Sequence, residues 1–147
     1  MLNGIPPILS PDLLAMLCRM GHGDEIVIAD GNFPSDSQGI PVIRCDGHGV
    51  PELLEAILPL FPLDDFVEQP VALMEVVKGD TFIPVIWDEF KKILADAGCG
   101  PEKIEYVERY AFYDRTKKAS AVIATSEFSK YANVILKKGL VKPISNN

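Results

Sequence analysis

The chain reads as an α/β fold, a mixed β-sheet covered by helices. Three observations predict it. Short β-branched runs alternate with amphipathic segments of helical period along most of the sequence. One of these runs, "VALMEVV" (71–77), is apolar almost without a break, the pattern of a strand buried on both faces. Several connections are short enough for antiparallel neighbours, so the sheet is expected to be mixed rather than purely parallel.

The elements follow in order. "SPDLLAMLCRMG" opens with Ser10 as N-cap and Pro11 at the first helical position, and spaces Leu13, Met16, Leu17 and Met20 along one face. Gly21 is expected to stop this helix in the left-handed conformation. "EIVIAD" (25–30) is a strand, "NFPSDSQGIP" a loop and "VIRC" (42–45) a short strand. "VPELLEAILPLF" is a helix with proline near its start, and "VALMEVV" the next strand. In "PVIWDEFKKILADAG", Ile86, Phe90, Ile93, Leu94 and Ala97 fall at helical spacing and Gly98 closes the helix. "KIEYVE" (103–108) is a strand, "YAFYDRTKKA" a helix, and "SAVIATS" and "NVILKKG" are the last two strands. The tail "KPISNN" alone is expected to be loose.

Composition narrows the class. A chain of 147 residues fits one domain, read here as residues 1–147 without an internal boundary. A chain of this size buries roughly 68–70% of its unfolded surface and needs no disulfide or metal staple. The apolar share of 48% and charged share of 24% suit a soluble globular protein. The net charge of −7 argues against a nucleic-acid partner, because phosphate binding requires a basic face. Cys18, Cys45 and Cys99, odd in number and widely spaced, read as reduced thiols of a cytoplasmic protein. The first eighteen residues fit neither a signal peptide nor a membrane span, so no membrane partner is expected.

Standard cofactor motifs are absent. "GHGDEI" lacks the third glycine of a dinucleotide turn, and no G-x-x-x-x-G-K-[ST] loop occurs. Two histidines and three scattered cysteines give no zinc spacing. Cys18, on a helix, is read as core packing. No cofactor and no metal are expected.

The candidate chemistry begins at "RMGHGDEIVIADGNFP". His22 stands between two glycines in a tight turn, which leaves its ring open to a small ligand. Asp30 ends the following strand, where α/β folds place ligand-contacting groups. On these residues alone, a turn histidine and a loop-capping aspartate serve equally well. His48 and Asp46, in "DGHGV", are read as turn residues before a helix. The last third gathers Arg109, Tyr110, Phe112, Tyr113, Tyr131 and Asn133. Polyols are bound by such groups: a guanidinium fork, an amide that both donates and accepts, and aromatic faces against C–H surfaces. Core packing is the reading for Phe112, and a turn before the last strand is the competing one for Tyr131–Asn133.

Three segments together, "LSPDLLAMLCRMGHGDEIVIADGNFP", "YAFYDRTKKASAVIATSE" and "KYANVILKKGL", resemble the RbsD/FucU family of sugar mutarotases, over about Ile8 to Val141. "RYAFYDR" is closer to the branch acting on L-fucose. "YAN" departs from that branch's "YGN", Ala132 standing where it has glycine. The resemblance implies an isomerase interconverting the α and β anomers of a monosaccharide, L-fucose first. It implies His22 as proton donor and Asp30, Arg109, Tyr131, Ala132 and Asn133 as substrate-binding residues, with Asp30 either holding a sugar hydroxyl or orienting His22. It further implies a ring-like homo-oligomer, a decamer, with sites near subunit contacts. Opening a hemiacetal needs protons moved at two oxygens and no redox step, metal or adduct. An imidazole, with an ordinary pKa of about 6.5, suits that task. A ribose pyranase of the same family and a non-catalytic sugar-binding oligomer are the rival readings.

Overall fold

The computed structural model describes residues 1–144. Six strands, β1 (Glu25–Ala29), β2 (Val42–Cys45), β3 (Val71–Met74), β4 (Ile104–Val107), β5 (Ala121–Thr125) and β6 (Val134–Lys137), form one sheet in the order β2-β5-β1-β6-β3-β4. β6 runs antiparallel to both of its neighbours, and the other pairs are parallel, so the sheet is mixed as expected. Four helices accompany it: α1 (Pro11–Arg19), α2 (Val50–Ile57), α3 (Ile86–Asp96) and α4 (Arg109–Thr116).

Alternation along β1 divides the interior in two. Ile26 and Ile28 face a large core with Leu13 and Leu17 of α1, Leu53 and Leu54 of α2, and Phe90 and Leu94 of α3. Val27 and Ala29 face a smaller core built on Phe112 of α4 and on Phe33. Strands β3 and β5 are buried along their full length, as their unbroken apolarity requires. β3 stops at Met74, earlier than the run "VALMEVV" suggests: the Glu75 N–H makes the last ladder bond, to Val107 O, and the chain then leaves the sheet.

The end of α1 departs from expectation in an instructive way. Ser10 caps its start, accepting from the Leu13 N–H at 3.2 Å. Gly21, however, is not left-handed; the helix leaves through an extended Met20. Lys138 replaces the glycine cap. Its ammonium donates to the carbonyls of Leu17 and Met20 at 2.6 and 2.7 Å, satisfying groups that a left-handed turn would otherwise serve. The main chain of Lys138 also accepts from Gly23 N–H and donates to Asp24 O, each at 2.8 Å. Lys138→Met should lower the unfolding free energy by about 1.5–3 kcal/mol, the scale of hydrogen bonds to a charged group, measurable by urea denaturation at fixed protein concentration.

Cys18 is exposed rather than packed in the core. It follows Leu17 by one residue and so faces about 100° away from the buried stripe of Leu13 and Leu17. Of the tail expected to be loose, Lys142–Ile144 carry no regular structure, and the remainder lies outside the described residues. No helix among the described residues is long and apolar enough to cross a membrane.

Candidate active site

The carboxyl ends of the parallel strands and the start of antiparallel β6 lie along one edge of the sheet. There they surround an open cavity of about 250 Å³, and Asp30, Arg109, Tyr131 and Asn133 all line it. Residues separated by up to 103 positions meet because β1 and β6 are neighbours.

Asp30 and Asn133 form a reciprocal pair. The Asp30 N–H donates to Asn133 Oδ1 at 2.8 Å, and Asn133 Nδ2 donates to Asp30 Oδ2 at 3.0 Å. The Asn32 N–H donates to Asp30 Oδ1 at 3.0 Å. Burial raises the Asp30 carboxyl above its ordinary 3.8, and hydrogen bonds from Asn32, Asn133 and the backbone of Ala132 and Phe33 offset part of that rise. Arg109 begins α4, whose first turn is capped by the Glu108 carboxylate accepting from the N–H groups of Tyr110 and Ala111. Its Nε donates to the Tyr113 hydroxyl at 3.1 Å, and its guanidinium lies 5.6 Å from the ring centres of both Tyr110 and Tyr113. The fork is thus held from one side.

Tyr131 reaches the cavity with a φ of 58°, and its hydroxyl donates to Asp80 at 2.6 Å. That contact holds the phenol above its ordinary value and the Asp80 carboxyl below its own. Ala132 does not line the cavity. It carries no positive φ, and its methyl is buried in the large core, so replacing a glycine there leaves the backbone unstrained. Only its main chain is available at the site. Phe33, Met74 and Val77 supply apolar wall, and Tyr113, half-buried against Phe33, adds an aromatic one.

His22 lies elsewhere. It precedes β1 whereas Asp30 follows it, and the strand alone spans roughly 16 Å. Asp30 therefore does not orient His22 within one chain. Asp64 does: its Oδ1 meets His22 Nε2 at 3.0 Å. Asp64 is almost fully buried, and the His22 side chain keeps 37% of its surface exposed. The Phe66 N–H, foremost, and then the imidazole hold the Asp64 carboxyl below its ordinary value, against the opposing effect of burial. Phe66 also sets its ring 5.0 Å from the imidazole. The 62–66 segment is tied down at Lys137 O, which accepts from the Asp64 N–H, and at Gly139, where an added Cβ would come within 2.5 Å of Leu63 O. Within the Gly-His-Gly turn, only Gly23 takes a positive φ, of 86°.

Sequence reasoning missed Asp64 and Asp80. Each sits in irregular chain, where no period assigns a facing, and each finds its partner through long-range packing. The chain thus presents two separate groups of polar side chains at opposite ends of the strands: a hydrogen-bonding cavity, and an open imidazole backed by a buried carboxylate.

An α/β sheet with a small cavity of carboxylate, amide, guanidinium and phenol groups defines a protein that handles a small polyhydroxylated molecule. The chain belongs to the RbsD / FucU transport protein family, whose model matches residues 3–141. It is 51% identical over 146 residues to the fucose mutarotase of Homo sapiens, covering 95% of this chain and 94% of that protein. The crystal structure of the fucose mutarotase in complex with L-fucose from Streptococcus pneumoniae superposes with a TM-score of 0.93 at 51% identity, covering 96% of this chain and all of that one. The structure of Bacillus subtilis RbsD complexed with D-ribose matches at a TM-score of 0.76 and 26% identity, over 97% of this chain and all of that one.

Proposed function

We propose that this protein is an L-fucose mutarotase, an isomerase that interconverts the α and β anomers by opening and reclosing the sugar ring. The observation that carries the reading is the convergence of Asp30, Arg109, Tyr131 and Asn133 on one cavity. The likeness to fucose mutarotases at about half of all positions, over nearly the whole chain, supports it.

Asp30 accepts a sugar hydroxyl with the lone pairs left free by Asn32 and Asn133, and Arg109 donates to others. The Ala132 main chain closes beside them. The proton chemistry falls to His22. Nδ1 takes the proton of the anomeric hydroxyl and hands it to the ring oxygen as the bond from the anomeric carbon to that oxygen breaks. The aldehyde turns its face, and the same transfers run in reverse. Asp64 fixes the imidazole by accepting from Nε2, which leaves Nδ1 to serve the sugar.

Because the two groups of side chains lie at opposite ends of the strands, His22 must come from a second copy whose amino edge abuts the carboxyl edge of the first. Such a head-to-tail contact uses two different surfaces and closes into a ring. Exposed Phe66 beside His22, and exposed Phe82, Ile83, Val85 and Phe128 in the loops at the cavity edge, supply apolar surface for that contact. We take the assembly to be the decamer that the family resemblance implies, with free Cys18, Cys45 and Cys99 in keeping with a cytoplasmic setting.

Saturation-transfer NMR between the two anomers of L-fucose tests the reading, with D-ribose run alongside. Faster exchange for L-fucose is the expected result. Exchange at the buffer rate for both sugars contradicts an enzyme, and preference for ribose contradicts the substrate.

A further inference from the structure

We propose that Trp87 is a positioning residue for the sugar, acting through Tyr131: its indole N–H anchors the strained peptide that places Tyr131 and, two residues on, Asn133 beside Asp30. The inference rests on the sugar-site reading of the cavity. Tyr131 is the one non-glycine residue with a positive φ among the described residues, at 58°. A bulky aromatic side chain is rare in that region, and such a conformation persists only where its surroundings over-determine it.

Three contacts do so here. Trp87 Nε1–H donates to the Tyr131 carbonyl at 2.8 Å, the Tyr131 hydroxyl donates to Asp80 at 2.6 Å, and the Val77 N–H donates to that hydroxyl at 3.4 Å. Asp80 and Val77 belong to the exposed loop between β3 and α3, and their hold is only as firm as that loop. Trp87 is different. It lies half-buried in the first turn of α3, packed on the large core, with its ring 5.1 Å from that of Tyr106. The peptide it holds leads directly to Asn133, whose amide donates to Asp30 at 3.0 Å. Loss of the indole donor frees this peptide, and with it both the phenol and the Asn133 amide that donates to the sugar-binding carboxylate. His22 and Asp64, at the other edge, are untouched. Trp87 therefore controls sugar binding and not the proton transfer.

Trp87→Phe keeps the packing and removes the donor. Measured as L-fucose anomer exchange against sugar concentration, its KM should rise about three- to tenfold, with the maximal rate within about twofold of the parent, for loss of one neutral hydrogen bond. A second readout needs no variant. The chain holds a single tryptophan, hence one indole N–H resonance. Saturating L-fucose should shift that resonance and slow its exchange with solvent. A parent protein that leaves exchange at the buffer rate overturns the sugar-site reading and this inference together. A parent that accelerates exchange, beside a Trp87→Phe variant with unchanged KM or a loss confined to the maximal rate, overturns this inference alone. If the variant does not fold, the indole signal decides: a shift supports the inference and indifference to L-fucose overturns it.

Discussion

His22→Ala slows L-fucose anomer exchange by about 10²–10⁴-fold, the usual contribution of a positioned proton-transfer group. The sheet remains intact, because the ring bears on little of the fold. Its polar contact is with Asp64, its side chain is more than a third exposed, and its neighbour Phe66 is itself exposed. Sugar affinity changes little, since the hydroxyl-binding groups sit at the opposite sheet edge. NMR exchange rates at saturating sugar, with oligomer size from gel filtration, check both halves. Retained exchange with normal assembly would remove His22 from the chemistry.

Asp30→Ala produces the second large effect, on binding. It removes the carboxylate around which the cavity is arranged and leaves the amide of Asn133 and the N–H of Asn32 without their acceptor. KM for L-fucose rises by about 10–100-fold, the scale of a hydrogen bond to a charged group. The same substitution has a signature in stability. Burial holds the Asp30 carboxyl above 3.8, so between 3.8 and its raised value the folded chain keeps a proton that the unfolded chain has released. Stability contributed by this group accordingly falls as pH rises through that window and is constant above it. Asp30→Ala deletes that slope. Urea midpoints of parent and variant at matched concentration should converge as pH is raised from below 4 through the window, relative to their acid-side difference. A gap that widens in favour of the parent over that range contradicts the burial argument.

The residues carrying local physics were legible in the sequence. Ser10 announces α1, Gly98 closes α3 with a φ of 82°, and the alternation of β-branched runs with helical stripes yields every strand and helix of the sheet and its cover. The turn roles of His48, which meets Glu52 at 3.1 Å, and of Asp46, paired with Arg44, were legible as well. Long-range substitutions for local devices were not. An ammonium more than a hundred residues away ends α1 where Gly21 was the obvious candidate, and Asp64, not Asp30, stands behind His22. The cavity-lining residues stood out by type, and only the motif resemblance joined them, since their separations in sequence carry no period that would do so. The separation of His22 from the cavity follows from the strand that lies between His22 and Asp30, a fact of direction that only the assembled sheet makes plain.

The central claim, that each site takes its imidazole from one copy and its binding groups from another, is tested most directly by mixing. His22→Ala and Asp30→Ala proteins are combined in equal amounts, dissociated, reassembled and assayed at L-fucose well below the parent KM, where each variant alone retains little activity. In randomly mixed head-to-tail rings, a contact is competent when an Asp30→Ala copy supplies His22 and a His22→Ala copy supplies Asp30, so about one quarter of the parent exchange rate should return. A mixture no more active than its separate components, in rings shown to contain both variants, would contradict the account.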